Sequence, residues 1–126
     1  MRRRLRPVIL MPNRQEATMK DLVRYPGDML WEALREFPGK GEVTVLRDEG
    51  KGKAKTIIVR LPAGGQVLPH SHVAPVQHYV LEGECETEGK TLGRGAYRLM
   101  PEHADVSAIL TKEGATILMI YDAVSG

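Results

Sequence analysis

The chain has a single cysteine, Cys85, which excludes an intramolecular disulfide and fits a reducing compartment. It lies between Glu84 and Glu86 with no basic neighbour in sequence, so a passive small side chain is expected there rather than a nucleophile. Long apolar runs are also missing. Val8-Ile9-Leu10-Met11, flanked by Pro7 and Pro12, is too short for a signal peptide's core and cleavage site and far too short for a membrane span, so a cytoplasmic protein is expected. Neither sign of charge dominates: 18 Lys and Arg stand against 16 Asp and Glu, mixed along the chain, which argues against nucleic acid or a membrane as partner. Arg2, Arg3, Arg4 and Arg6 form the one basic run and read as a solvated end. Internal repeats, low-complexity tracts, a Ser-His-Asp arrangement and a phosphate-cradling glycine loop are all absent.

Helical periodicity is scarce too, and short strands separated by glycine-containing turns fill its place. At 126 residues the chain is one domain with room for a real core. Strands are expected over 42–47, 54–61, 66–72, 76–83, 85–88, 96–100, 105–110 and 115–121. The turns between them carry Gly50, Gly52, Gly64, Gly65, Gly89, Gly93, Gly95 and Gly114. One short helix is expected over 28–36, where Met29, Leu30, Ala33, Leu34 and Phe37 follow a three-to-four spacing before Pro38-Gly39. Residues 1–41 read as an N-terminal arm with that helix, packed on an all-β barrel over 42–126. Eight strands closing on themselves, or packing as two sheets, leave a mouth for one small ligand.

Four histidines are present, and His70-Ser71-His72 is the most informative stretch of the chain. Alternate side chains of an extended segment share a face, so the His-x-His spacing aims two imidazoles at one volume. If residues 73–75 form a three-residue hairpin loop, His70 faces His78 across the strands and three rings converge. A one-residue change of loop length would turn His78 to the opposite face. His103 completes the set.

These residues resemble the cupin superfamily of small jelly-roll barrels. Gly64-x5-His70-x-His72 with the closing Tyr79-Val80-Leu81-Glu82-Gly83 is similar to its first motif, and Gly95-x5-Pro101-Glu102-His103-Ala104-Asp105-Val106 to its second. The resemblance covers roughly residues 42–122 and implies a single cupin-type jelly-roll β-barrel. It also implies His70 and His72 as metal ligands. Two positions depart from the pattern: Val76 stands in the place of the family's metal-binding Glu, and Val106 in the place of its fourth ligand, a His. His103 occupies the place of a turn glycine.

Two readings follow. In one, His78 and His103 replace the lost ligands, and three or four imidazoles hold one divalent transition metal per chain, of the nitrogen-preferring set Zn, Fe, Ni, Co or Cu. The protein is then a metal-dependent oxygenase or isomerase acting on a small organic molecule. In the other, the metal is lost and the barrel is a metal-free small-ligand-binding or sensor module. Tyr97, Arg98, Arg60 and Tyr121 are candidates for the pocket mouth, although the two arginines read better as rim charges. Gln77, Tyr79 and Leu81 fall on the opposite face from His78, and this apolar outer face suggests a homodimer. Met100 and Met119 read as core.

Overall fold

The computed structural model describes residues 20–34 and 41–124. Most of the N-terminal arm, residues 1–19 and 35–40, therefore lies outside the described residues. Eleven short strands run β1 Glu32–Ala33, β2 Glu42–Asp48, β3 Lys55–Leu61, β4 Gln66–Val67, β5 His70–Ser71, β6 Val76–Thr87, β7 Lys90–Gly93, β8 Tyr97–Met100, β9 Asp105–Val106, β10 Ile109–Leu110 and β11 Ala115–Tyr121. Every pairing is antiparallel, with the order β1-β2-β3-β11-β6-β10-β4, β7 and β8 both on β6, and a separate β5–β9 ribbon. Among the described residues no helix is long and apolar enough to cross a membrane.

β6 organises the barrel because it belongs to both walls. Its first half pairs with β11 and β8, and its second half with β7 and β10. The strand turns between them at Gly83, whose φ is +76° and where an added Cβ would lie 2.1 Å from the Gly114 carbonyl oxygen. Only glycine permits both the left-handed backbone and this close approach. Just before Gly83, Leu81 of β6 has no partner on β11, a bulge opposite the Thr116–Ile117 step that shifts the register there. Inward residues alternate along each strand, and Val59, Val67, Val80, Ile109, Ile117 and Met119 are almost wholly buried between the walls.

The expected helix over 28–36 is not formed in its described part. A 3-10 turn spans Pro26–Asp28, and Glu32–Ala33 instead adds a strand to the free edge of β2, with Leu34 N–H donating to Gly41 O at 2.9 Å. Two turns of helix cannot nucleate without a surface to pack on, whereas a sheet edge offers ready-made backbone partners. Residues 35–36 lie outside the described residues. The expected strands over 66–72 and 105–110 are each broken in two, and β7 occupies residues read as a turn.

Candidate functional site

The expected hairpin between His72 and His78 does not form. Residues 70 and 71 pair with β9, placing Val106 opposite His70, while His78 lies between Met119 on β11 and Arg98 on β8. The β5–β9 ribbon competes successfully because Val106 joins Val76 and Met100 in a second buried apolar cluster, which the tight hairpin would have opened to solvent. His78 nevertheless points inward, by the alternation it shares with Val76 and Val80.

The structure brings His70 and His72 together. Their Nε2 atoms are 3.0 Å apart and their rings meet edge to face, with centroids 4.5 Å apart. His70 Nδ1 lies 2.8 Å from the Leu68 carbonyl oxygen. A carbonyl only accepts, so Nδ1 carries the proton and the Nε2 lone pair faces His72. Burial, and then the neighbouring His70, lower the His72 pKa and so favour its neutral, lone-pair-bearing form. Two nitrogens each about 2.0–2.1 Å from one ion stand roughly 2.8–3.4 Å apart between right and tetrahedral angles, a range that contains the 3.0 Å found here. The fixed Nδ1–H of His70 also matches the way metal-ligating imidazoles are usually oriented from behind.

His78 is one inward step beyond Val76, about 7 Å further along β6. It is 4% exposed, and its Nε2 is the one buried side-chain polar atom without a hydrogen-bond partner among the described residues. Burial, then Arg98, His72 and His70, push its pKa down to about 3, which keeps its lone pair free throughout the neutral range. His103 is exposed, in a left-handed turn with φ +62°, and is not among the residues lining the cavity. Its backbone explains why a glycine suits that position. Among the described residues no group of three or more His, Cys, Asp or Glu side chains is placed to hold one ion.

A cavity of about 790 Å³ opens beside the imidazole pair, with Val43, Ile57, Val76 and Tyr121 in its wall. Tyr121 is the one expected mouth residue that reaches it, its ring 5.7 Å from that of His72. Arg60 lies on the outer face, paired with Glu42 and stacked 3.7 Å from the Trp31 ring. Arg98 points inward, bound to Glu88 and Thr87, and Tyr97 donates to Gln77 Oε1 on the outside. Three lysines that line the cavity, Lys51, Lys53 and Lys55, were not singled out from the sequence. Their alternation through the β2–β3 turn is the signal that could have found them.

An antiparallel barrel built over two convergent histidines, with the paired glycine-bounded motifs in order, is a cupin. The chain belongs to the ChrR cupin-like domain family, which residues 19–125 match. The fold is similar to that of an acetylacetone dioxygenase from Acinetobacter johnsonii, with a TM-score of 0.72 and 19% identity over 82% of this chain and 74% of that one. It is also similar to the polyketide cyclase RemF from Streptomyces resistomycificus, with a TM-score of 0.68 and 21% identity over 82% of this chain and 79% of that one. A chain of the Rhodobacter sphaeroides complex of SigE with the anti-sigma ChrR matches with a TM-score of 0.64 and 21% identity, over 79% of this chain and 52% of that one. No curated protein matches the sequence.

Proposed function

We propose that the protein is a small cupin holding one divalent transition metal on the paired His70 and His72, with His78, which the metal-free arrangement does not group with them, drawn in as third donor when the ion binds, and with a small organic molecule bound over the site. The observation that carries this reading is the 3.0 Å separation of the His70 and His72 Nε2 atoms, with His70 locked from behind by Leu68. The partnerless Nε2 of His78, buried and uncharged, supports it as the third donor. Neutral imidazoles suit Zn, Fe, Ni, Co or Cu and not Mg or Ca. A bound ion would supply Lewis-acid polarisation or activate a coordinated nucleophile. The protein's own part is to orient the imidazoles, to keep His72 and His78 unprotonated through burial, and to present the substrate against an apolar wall. An oxygenase reaction draws support from the likeness of the fold to that of a dioxygenase.

A second reading, a metal-free ligand-binding or sensor module, is favoured by the apolar cluster of Val76, Met100 and Val106 where the resemblance places a Glu and a His. Elemental analysis of untagged protein separates the two. About one metal per chain, lost in His70→Ala/His72→Ala while the thermal transition is retained, supports the first reading. Substoichiometric metal after reconstitution and dialysis supports the second.

A further inference from the structure

A lysine breaks the apolar rhythm of β3 at the cavity mouth. Along the inward face of the strand, Leu61, Val59 and Ile57 are buried core, and Lys55 takes the next inward position. Inward positions of small barrels are normally filled by apolar side chains. Lys55 is only partly exposed there, and it lines the cavity instead of leaving it.

Its neighbours place it close to the imidazole pair. On β11 the residue opposite Lys55 is Tyr121, the same residue whose ring meets His72. One aromatic side chain therefore separates the lysine from the histidines. On β2 the residue opposite is Asp48, but its Oδ1 accepts the Gly50 N–H at 2.9 Å and it makes no ion pair with Lys55. The three ion pairs among the described residues involve only arginines.

Lys51 and Lys53 extend the cationic edge along the adjoining turn. That turn is held in place: Lys53 N–H donates to Gly50 O, Glu49 N–H to Ala54 O, and Val124 N–H to Gly52 O. Glu32, Asp48 and Asp122 also line the cavity; all three are exposed, as are Lys51 and Lys53, and none lies within ion-pair distance of a lysine, so the half-buried Lys55 is the charge held furthest in. A half-buried lysine that lines a cavity and has no carboxylate in ion-pair contact is placed to receive a mobile anion.

We propose that the cavity takes a small organic anion with a compact apolar body, its anionic group held by Lys55 with Lys51 and Lys53 in support. The body lies against Val43, Ile57 and Val76, and the far end reaches the imidazole pair. The inference deepens the metal-pocket reading and rests on it only for that far end. The donor set points the same way, because imidazoles leave the charge of a bound ion unopposed.

The test is calorimetric titration of untagged protein with benzoate and with benzamide, its uncharged isostere, at low ionic strength. Benzoate is expected to bind roughly tenfold or more tightly than benzamide, as one charge-assisted contact warrants. That preference should fall several-fold in Lys55→Gln and return in Lys55→Arg, with metal content unchanged in both. Equal or undetectable binding of the two by the native protein overturns the proposal. A preference unchanged in Lys51→Gln/Lys53→Gln/Lys55→Gln overturns it as well. In His70→Ala/His72→Ala, a preference that survives metal loss supports the lysine site. A failure of the metal reading alone appears separately, as untagged protein that binds benzoate selectively but contains no metal.

Discussion

At the scale of single residues, burial governs the chemistry of His78. Its pKa is depressed from 6.5 in the unfolded chain to about 3 in the native protein. Above pH 6.5 both states are neutral and the group adds no pH dependence. Between 6.5 and 3 only the unfolded chain takes up the proton, so stability falls with pH by about 1.4 kcal/mol for each unit crossed. His72 is shifted in the same direction and adds to the loss. Urea titrations of metal-free protein at pH 7, 6, 5 and 4 should show this decline, and His78→Leu should flatten it. The same substitution replaces an unpartnered buried nitrogen by apolar atoms, so at pH 7 it should be neutral or stabilising without metal and should weaken metal affinity. His103 obeys a different rule. Its φ of +62° asks for glycine, so His103→Gly should raise stability by about 1 kcal/mol and leave metal content unchanged. A loss of metal in that variant would bring His103 into the site.

At the scale of elements, the bend in β6 and the β5–β9 ribbon decide what the site can hold. Gly83→Ala forces a Cβ into the Gly114 carbonyl and an L-residue into φ +76°, and should cost about 3 kcal/mol or more in chemical denaturation. The ribbon sets Val106 opposite His70, and Val106 packs with Val76 in one small cluster. An acidic side chain at 76 would face the imidazole pair across the cavity wall. Val76→Glu should therefore tighten Zn²⁺ binding about tenfold or more in calorimetry, while costing about 1–3 kcal/mol in the metal-free protein through burial of a carboxyl. Period-two alternation made β2, β3, β6 and β11 legible in the sequence, since half-buried strands write their inward face directly into residue order. The short ribbon was not legible. Two-residue strands carry no period, and the partner of His70, Val106, is set by packing 36 positions away. The mistaken helix has the same origin, because a sheet edge and a short amphipathic helix accept the same sequence.

At the scale of the whole molecule, the barrel brings strand segments distant in sequence around one cavity, lined by His70, His72 and Lys55, with His78 buried in the strand beyond Val76. His70 and His72 come from the ribbon and the residue after it, His78 from the bent strand, and Lys55 from β3, two strands away from β6 in the same sheet. The histidine spacing made the first pair legible before any fold was known. The inward direction of His78 was legible from alternation, although its neighbours were not. The lysine edge was not legible, because its meaning depends on Tyr121 lying opposite Lys55 in the β3–β11 ladder. What the proposed metal reading requires is that imidazole nitrogens from two separate segments converge on one ion. Anomalous diffraction at the absorption edge of the metal, from crystals of untagged, metal-loaded protein, examines that convergence directly. A single peak bonded to Nε2 of His70, His72 and His78 is the predicted result; a peak away from the first two rings, or one that leaves His78 without contact, would contradict it.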